Sequence, residues 1–366
     1  MGGGMTLFKA KPSFIGYAAL LAVTVFASSC SDDDSIPVIV DVPELSISKL
    51  PFVIALDQGL YVKHGLRAEI RIPTPESEGR TVSYGNFWGR VRRRLGIGES
   101  GRPDITIGGG TPTVVRVSQT GPAARQIMIG ATDCVLRAHI VARKGIASIE
   151  ELRGGRIGMS GLGSTAGFHA LRLARRMGWD SVHDVSFLTG YEGVGGLLDG
   201  SIDALIAYEF ELADAKREGL PVLLDTRGWD EALAGNSIKV TPGWLDDPAH
   251  REAARRFLRA TAEAIALFHQ EPQLVKQVLK DWYGVEDPER AQIVYERGAW
   301  IPRKPYPCTE GIKRTMELYD SNEMRRYSPS DFYDDSLMRE IDQSGFIDAL
   351  YVDLDASTAQ SALQSK

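Results

Sequence analysis

Residues 156–179, RIGMSGLGSTAGFHALRLARRMGW, set three hydroxyl side chains, Ser160, Ser164 and Thr165, around Gly161 and Gly163 where an apolar run meets an amphipathic one. A strand, a glycine turn and a helix in that order offer backbone N–H groups and the positive end of a helix dipole to an anion. Gly161-x-Gly163-x-x-Ala166 also matches the turn that holds a dinucleotide pyrophosphate. That fingerprint needs an acidic residue about 20 residues on, at the tip of the next strand. Here the next β run, VSFLTG, ends in Thr189-Gly190, and Asp184 stands at its opposite end. The turn therefore reads as a seat for a compact anionic group, and no cofactor is expected.

A second glycine-rich strand end, Gly108-Gly109-Gly110-Thr111, repeats the arrangement. If the two turns face each other, Gly109, Gly110, Thr111, Ser160, Ser164 and Thr165 surround a sulfonate, carboxylate or similar head group. Ser164 equally suits a plain helix N-cap. Glu209 follows Tyr208 at the end of IDALIAY, where a carboxylate either receives the amine of a zwitterion or caps the next helix. Lys49, just before Pro51, is a further lining candidate, and Trp244 is an apolar wall or a core residue. His169, one turn into its helix, reads as packing. No nucleophile–base pair and no tight metal spacing occurs among the six scattered histidines, so neither catalytic nor metal-binding residues are assigned. Cys134 and Cys308 are compatible with a disulfide or with two buried thiols.

Repeated βαβ units must position these turns. IPVIVDV (36–42), RAEIRI (67–72), DITIGGG (104–110), RQIMIG, RAHIVARK, RIGMS, VSFLTG, IDALIAYEF and VLLDT read as strands, and most are separated by helical segments. LPFVIALDQGLYVKHG (50–65) reads as one helix closed by glycine. Beyond residue 240 the pattern turns helical: Phe257, Leu258, Thr261, Ile265 and Phe268 share one face, and further helices start at Pro272 and at Pro288 after Asp287. The arginine-rich stretch within 80–102 reads as a solvated face.

The N-terminus reads as an export signal. Lys9 and Lys11 precede an uncharged run, residues 13–29, about 25 Å long as a helix and too short for a stable membrane span. The ending FASSC resembles a bacterial lipobox, with Cys30 as the lipidated residue and SDDDS as a tether; cleavage after Ala27 is the plainer alternative. A composition of 43% hydrophobic and 25% charged residues is that of a globular protein, and a net charge of −6 argues against general nucleic-acid binding.

The motifs taken in order resemble the taurine/nitrate/sulfonate group of ABC-transporter substrate-binding proteins, related to the thiamine-precursor binding proteins. LPFVIALDQGLYVKHGLRAEI is similar to that group's opening stretch, DITIGGGTP to its third-strand turn, IASIEELRGGRIGMSGLGST to its L-x-G-x-x-I-G signature, and LLDGSIDALIAYEF to its L-x-x-G-x-I-D-A segment with a trailing Glu. The 73–102 region is longer and more basic than that pattern, and Tyr208 stands where the group often carries Trp.

The resemblance implies an α/β, two-lobed periplasmic-binding-protein fold with ligand held between the lobes. It divides the chain into a signal (1–29), a tether (30–35), lobe one (36–137 and 236–345), lobe two (138–235) and a tail (346–366). It implies capture of a small anionic or zwitterionic solute for an ABC permease and its ATPase subunits, by a monomer anchored outside the membrane, without catalysis. The alternatives are an enzyme on the same scaffold, such as a pyrimidine-precursor synthase or a chorismate-dehydratase-like protein, and a tethered sensor.

Overall fold

The computed structural model describes residues 35–72 and 102–352; the expected signal, Cys30, the basic stretch up to residue 101 and the end of the tail lie outside the described residues. Strand β1 (Ile36–Asp41) leads through a short 3-10 turn (Ile47–Lys49) into α1 (Leu50–Asp57) and α2 (Leu60–Lys63), and then β2 (Leu66–Arg71). β3 (Ile105–Gly109) runs directly into α3 (Gly110–Thr120), and β4 (Ile127–Ala131) follows. The next series is β5 (His139–Ala142), β6 (Arg156–Met159), α4 (Thr165–Met177), β7 (Ser186–Thr189), α5 (Gly195–Leu198), β8 (Ala204–Ala207), α6 (Glu209–Arg217) and β9 (Val222–Asp225). After β10 (Asn236–Val240) come α7 (Pro248–Gln270), α8 (Pro272–Tyr283), α9 (Pro288–Arg297), α10 (Thr309–Leu318), α11 (Ser336–Gln343) and α12 (Phe346–Ala349).

The strands form two five-stranded sheets, ordered β2-β1-β3-β10-β4 and β7-β6-β8-β5-β9. The two orders are one topology repeated. β1, β2 and β3 are parallel, as are β6, β7 and β8, while β10 and β5 run antiparallel to both of their neighbours. Each antiparallel strand is the one that arrives from the other sheet: the chain leaves β4 to enter as β5, and leaves β9 to return as β10. The two crossings lie side by side, bridged at Val135 and Ala232 and bonded by Leu136 N–H to Glu231 O (2.8 Å) and Leu233 N–H to Cys134 O (3.0 Å).

Central strands such as β8, Ala-Leu-Ile-Ala, are buried along their whole length because helices cover both faces of the sheet. Pro51, Pro248, Pro272 and Pro288 occupy the first turns of their helices, where the missing N–H costs nothing, and Asp287 caps α9 through Glu289 N–H. α7 lays its apolar face on sheet one. Its Phe257 is fully buried between Phe52 and Tyr61, with ring centroids 6.0 and 5.3 Å away. The single helix expected over 50–65 is divided, because Gly59 adopts a left-handed φ of 65° between α1 and α2. The helix expected after β7 is one turn only, α5.

Cys134, in the first crossing, forms a disulfide with Cys308, just before α10, which decides between the two alternatives left open by the sequence. Closing a loop of 174 residues contributes about 5 kcal/mol in the chain-entropy picture.

Candidate functional site

β3, β6 and β8 all end at one cleft, where their carboxyl ends feed α3, α4 and α6. Parallel α/β sheets bind ligands at this edge. The cleft holds a cavity of about 650 Å³ lined from both sheets and from the crossings. The lobes come close there: a Cβ on Gly109 would stand 3.1 Å from Thr165 Oγ1 across the gap.

Of the residues expected from the sequence, Lys49, Gly109, Ser160, Ser164, Thr165, Tyr208 and Glu209 line the cavity, and Gly110 and Thr111 do not. The reason lies in β10. Its approach segment supplies the carbonyls of Gly235 and Ala234, which accept from Gly110 N–H (2.5 Å) and Thr111 N–H (2.7 Å). Thr111 Oγ1 also donates to Ala234 O (3.0 Å), and Pro112 has no N–H. The start of α3 is thus capped by backbone and offers no free donors.

The start of α4 is different. Ser164 caps it in fact: its hydroxyl accepts from Gly167 N–H (3.2 Å) and donates to Gly161 O (2.6 Å), so its proton is already committed. Ser160 is exposed, and its hydroxyl donates to Ser164 Oγ (3.0 Å) until a ligand acceptor takes that proton over. The N–H groups of Thr165 and Ala166, and the Thr165 hydroxyl, have no partner among the described residues, and both residues line the cavity. Two unbonded N–H groups at the positive end of a 13-residue helix are suited to an oxyanion.

Glu209 is the first residue of α6, but its carboxylate is engaged by the protein itself. Arg137, buried in the first crossing, donates Nη1 to Glu209 Oε1 and Nη2 to Asp133 Oδ2 (2.9 Å), and its guanidinium stacks 3.8 Å from the Trp300 ring centre and 5.2 Å from that of Tyr208. Burial raises the Glu209 pKa, and Arg137 only partly offsets it. A carboxylate for which the sequence left open a ligand amine or a helix cap stands in the first turn of α6 and holds the chain's own guanidinium.

His169 braces the same crossing. Its Nε2 accepts from the N–H groups of Arg137 and Ala138 (both 3.3 Å), and Nδ1 lies 2.8 Å from Thr165 O. Burial holds it neutral, with a pKa of about 3. Lys49 is buried and paired with Glu44 (2.5 Å), so its charge too is answered internally. Trp244 does not line the cavity; it stacks on His250 at 4.6 Å.

Arg137, Asp133 and Lys239 were missed by sequence reasoning. Asp133 and Arg137 stand four residues apart in the crossing, a charge pairing visible in DCVLR that points to a helix rather than a hinge. Lys239 sits in NSIKV, an alternating strand pattern that carries no hint that its lysine faces the cavity.

Residues 133–274 match the family model described as NMT1/THI5 like. No curated protein matches the sequence. Among solved structures, a Bordetella bronchiseptica protein aligns with TM-score 0.65 at 15% identity, covering 85% of this chain and 98% of its own. The periplasmic nitrate-binding protein NrtA from Synechocystis aligns with TM-score 0.61 at 14% identity, covering 85% and 89%. The periplasmic aliphatic sulphonate binding protein SsuA from Escherichia coli aligns with TM-score 0.56 at 16% identity, covering 84% and 91%. With its repeated sheet topology and its cleft at the strand ends, the chain has the two-lobed periplasmic-binding-protein fold, and its residues 133–274 are similar to the NMT1/THI5-like model.

Proposed function

We propose that this protein is the extracytoplasmic solute-binding component of an ABC importer and captures a small anionic organic solute by closure of its two lobes. One observation carries the reading: a cavity of about 650 Å³ between the sheets, lined by Thr165 and Ala166, whose N–H groups have no partner among the described residues. The neighbours NrtA and SsuA, described as nitrate-binding and sulphonate-binding, support it. Lobe one takes residues 36–137 and 236–345 and lobe two residues 138–235. Gly109, Ser160, Thr165 and Tyr208 contact the solute, while Lys49, Ser164 and Glu209 shape the cavity through their internal partners. The protein works as a monomer with a permease and its ATPases, held to the membrane through Cys30. No described helix is long and apolar enough to cross a membrane.

The binding reading is preferred to the enzyme because no histidine lines the cavity among the described residues, His169 is bonded to backbone, and the buried carboxylates Asp133 and Glu209 are paired with Arg137, leaving donors rather than a proton-transfer pair. A thermal-shift screen of sulfonates, carboxylates and nitrate tests it. At 100-fold saturation, binding raises stability by about 2.7 kcal/mol. Recovery of the stabilising solute unchanged supports capture; its conversion, or the absence of any stabilising anion, refutes it.

A further inference from the structure

Four cationic side chains line the cavity: Lys49, Arg116, Arg137 and Lys239. Lys49 is paired with Glu44, and Arg137 with Asp133 and Glu209. Neither Lys239 nor Arg116 forms an ion pair with any described residue. Lys239 is only 6% exposed, and its one hydrogen-bond partner among the described residues is the Thr113 hydroxyl at 3.0 Å. That hydroxyl in turn donates to Gly109 O (2.9 Å), so it accepts from Lys239 and leaves two ammonium donors unanswered. Gly108 lies beneath the amine: a Cβ there would stand 3.3 Å from Nζ. A buried ammonium with one neutral acceptor is an unfinished site.

We propose that Lys239, with Arg116 beside it, seats the anionic group of the solute, and that the solute's arrival draws a proton onto Lys239. The proposal rests on the reading of the cleft as a solute-binding site and adds the residue that fixes the sign of the solute's charge. The charged groups around Lys239 are Arg116 on α3, Lys49 before α1, Asp41 at the end of β1 and Glu44 after it. Burial, then Arg116 and Lys49, depress its pKa to about 7, and Glu44 and Asp41 oppose them only in part. An anion on Nζ reverses the balance. Below pH 7 the amine is already charged and binding is full. Above it each bound solute must bring a proton, and affinity falls up to the higher pKa of the complex.

Calorimetry of the wild-type protein with ethanesulfonate, nitrate and acetate, at pH 6 and pH 8.5 in buffers of different ionisation enthalpy, is the test. At least one anion binds about tenfold or more tightly at pH 6, with proton uptake near zero at pH 6 and approaching one at pH 8.5. Lys239→Met weakens that binding by about 10- to 100-fold and abolishes proton uptake. Lys239→Arg, which keeps the charge if the methionine variant fails to fold, retains binding and loses the pH dependence. Unchanged affinity in a folded Lys239→Met variant, or wild-type binding without proton uptake, overturns the proposal and leaves the cleft reading standing. Failure of all three anions with the wild type overturns both.

Discussion

Of the three glycines around this turn, Gly167 rather than Gly161 or Gly163 is the one with no room for a side chain. A Cβ on Gly167 would collide with the carbonyl oxygens of Leu162 and Gly161, which fold back over the start of α4, whereas one on Gly163 would meet only Val115 at 3.6 Å, an ordinary contact. Gly167→Ala is therefore expected to lower stability by about 1–3 kcal/mol or more, and Gly163→Ala by less than about 0.5 kcal/mol; urea unfolding of the two variants checks the contrast. At the same scale, His169 is held neutral at a pKa of about 3, below its unfolded value near 6.5. The unfolded chain binds the extra proton between these values, so the contribution is full above pH 6.5 and is lost as pH falls, by up to about 1.4 kcal/mol per pH unit. His169→Gln should flatten the fall of stability between pH 7 and pH 5. An unchanged slope would assign the acid sensitivity elsewhere, His139 with its pKa near 4 being the next candidate.

Among the elements, α7 does most to hold sheet one. Ala254, Phe257, Leu258, Thr261, Ile265 and Phe268 are buried along it, the stripe expected from its 3.6-residue period. Phe257→Ala removes the ring that joins α7 to α1 and α2 and is expected to cost about 3–5 kcal/mol, measured by thermal or urea unfolding. The crossings show the limits of such patterns. The two segments have no periodicity of their own, yet they are held by paired backbone bonds, by His169 and by the Cys134–Cys308 disulfide. They also hold Arg137, whose buried charge, opposed by its own burial, is more than offset by Asp133 and Glu209. Removing one member of such a buried group typically costs about 3–5 kcal/mol because its partners stay behind uncompensated.

For the whole molecule the relevant bond is one that spans the cleft. Tyr319, after α10, donates its hydroxyl to Leu162 O at 2.6 Å, joining the helical C-terminal region to the turn before α4. A solute that bridges both lobes shifts the open–closed balance only by its differential affinity for the closed state, and a lobe-spanning bond adds to that balance. Tyr319→Phe is expected to leave the fold intact and weaken solute binding by about 2- to 10-fold, from the loss of about 0.5–1.5 kcal/mol. Calorimetry reports the affinity and small-angle scattering the closure. Equal affinity and equal compaction in the variant would show that this bond plays no part in closing.

The α/β class, the paired strand–helix series and the anion-suited start of α4 are legible in the sequence. They depend on local matters: apolar runs of strand length, glycine before a helix, proline at a first turn, and an apolar stripe on α7. Other features depend on residues far apart in the chain. Gly110 and Thr111 look like free donors until the segment before β10, more than 120 residues later, brings two carbonyls onto them. Glu209 looks like a receptor for an amine until Arg137 is folded against it, and Lys239 looks like a surface lysine on an alternating strand until β10 is inserted between β3 and β4. Local sequence determines which groups can bond; only the tertiary structure decides which have already found a partner, because a buried donor or charge is answered by whatever the fold brings within about 3 Å.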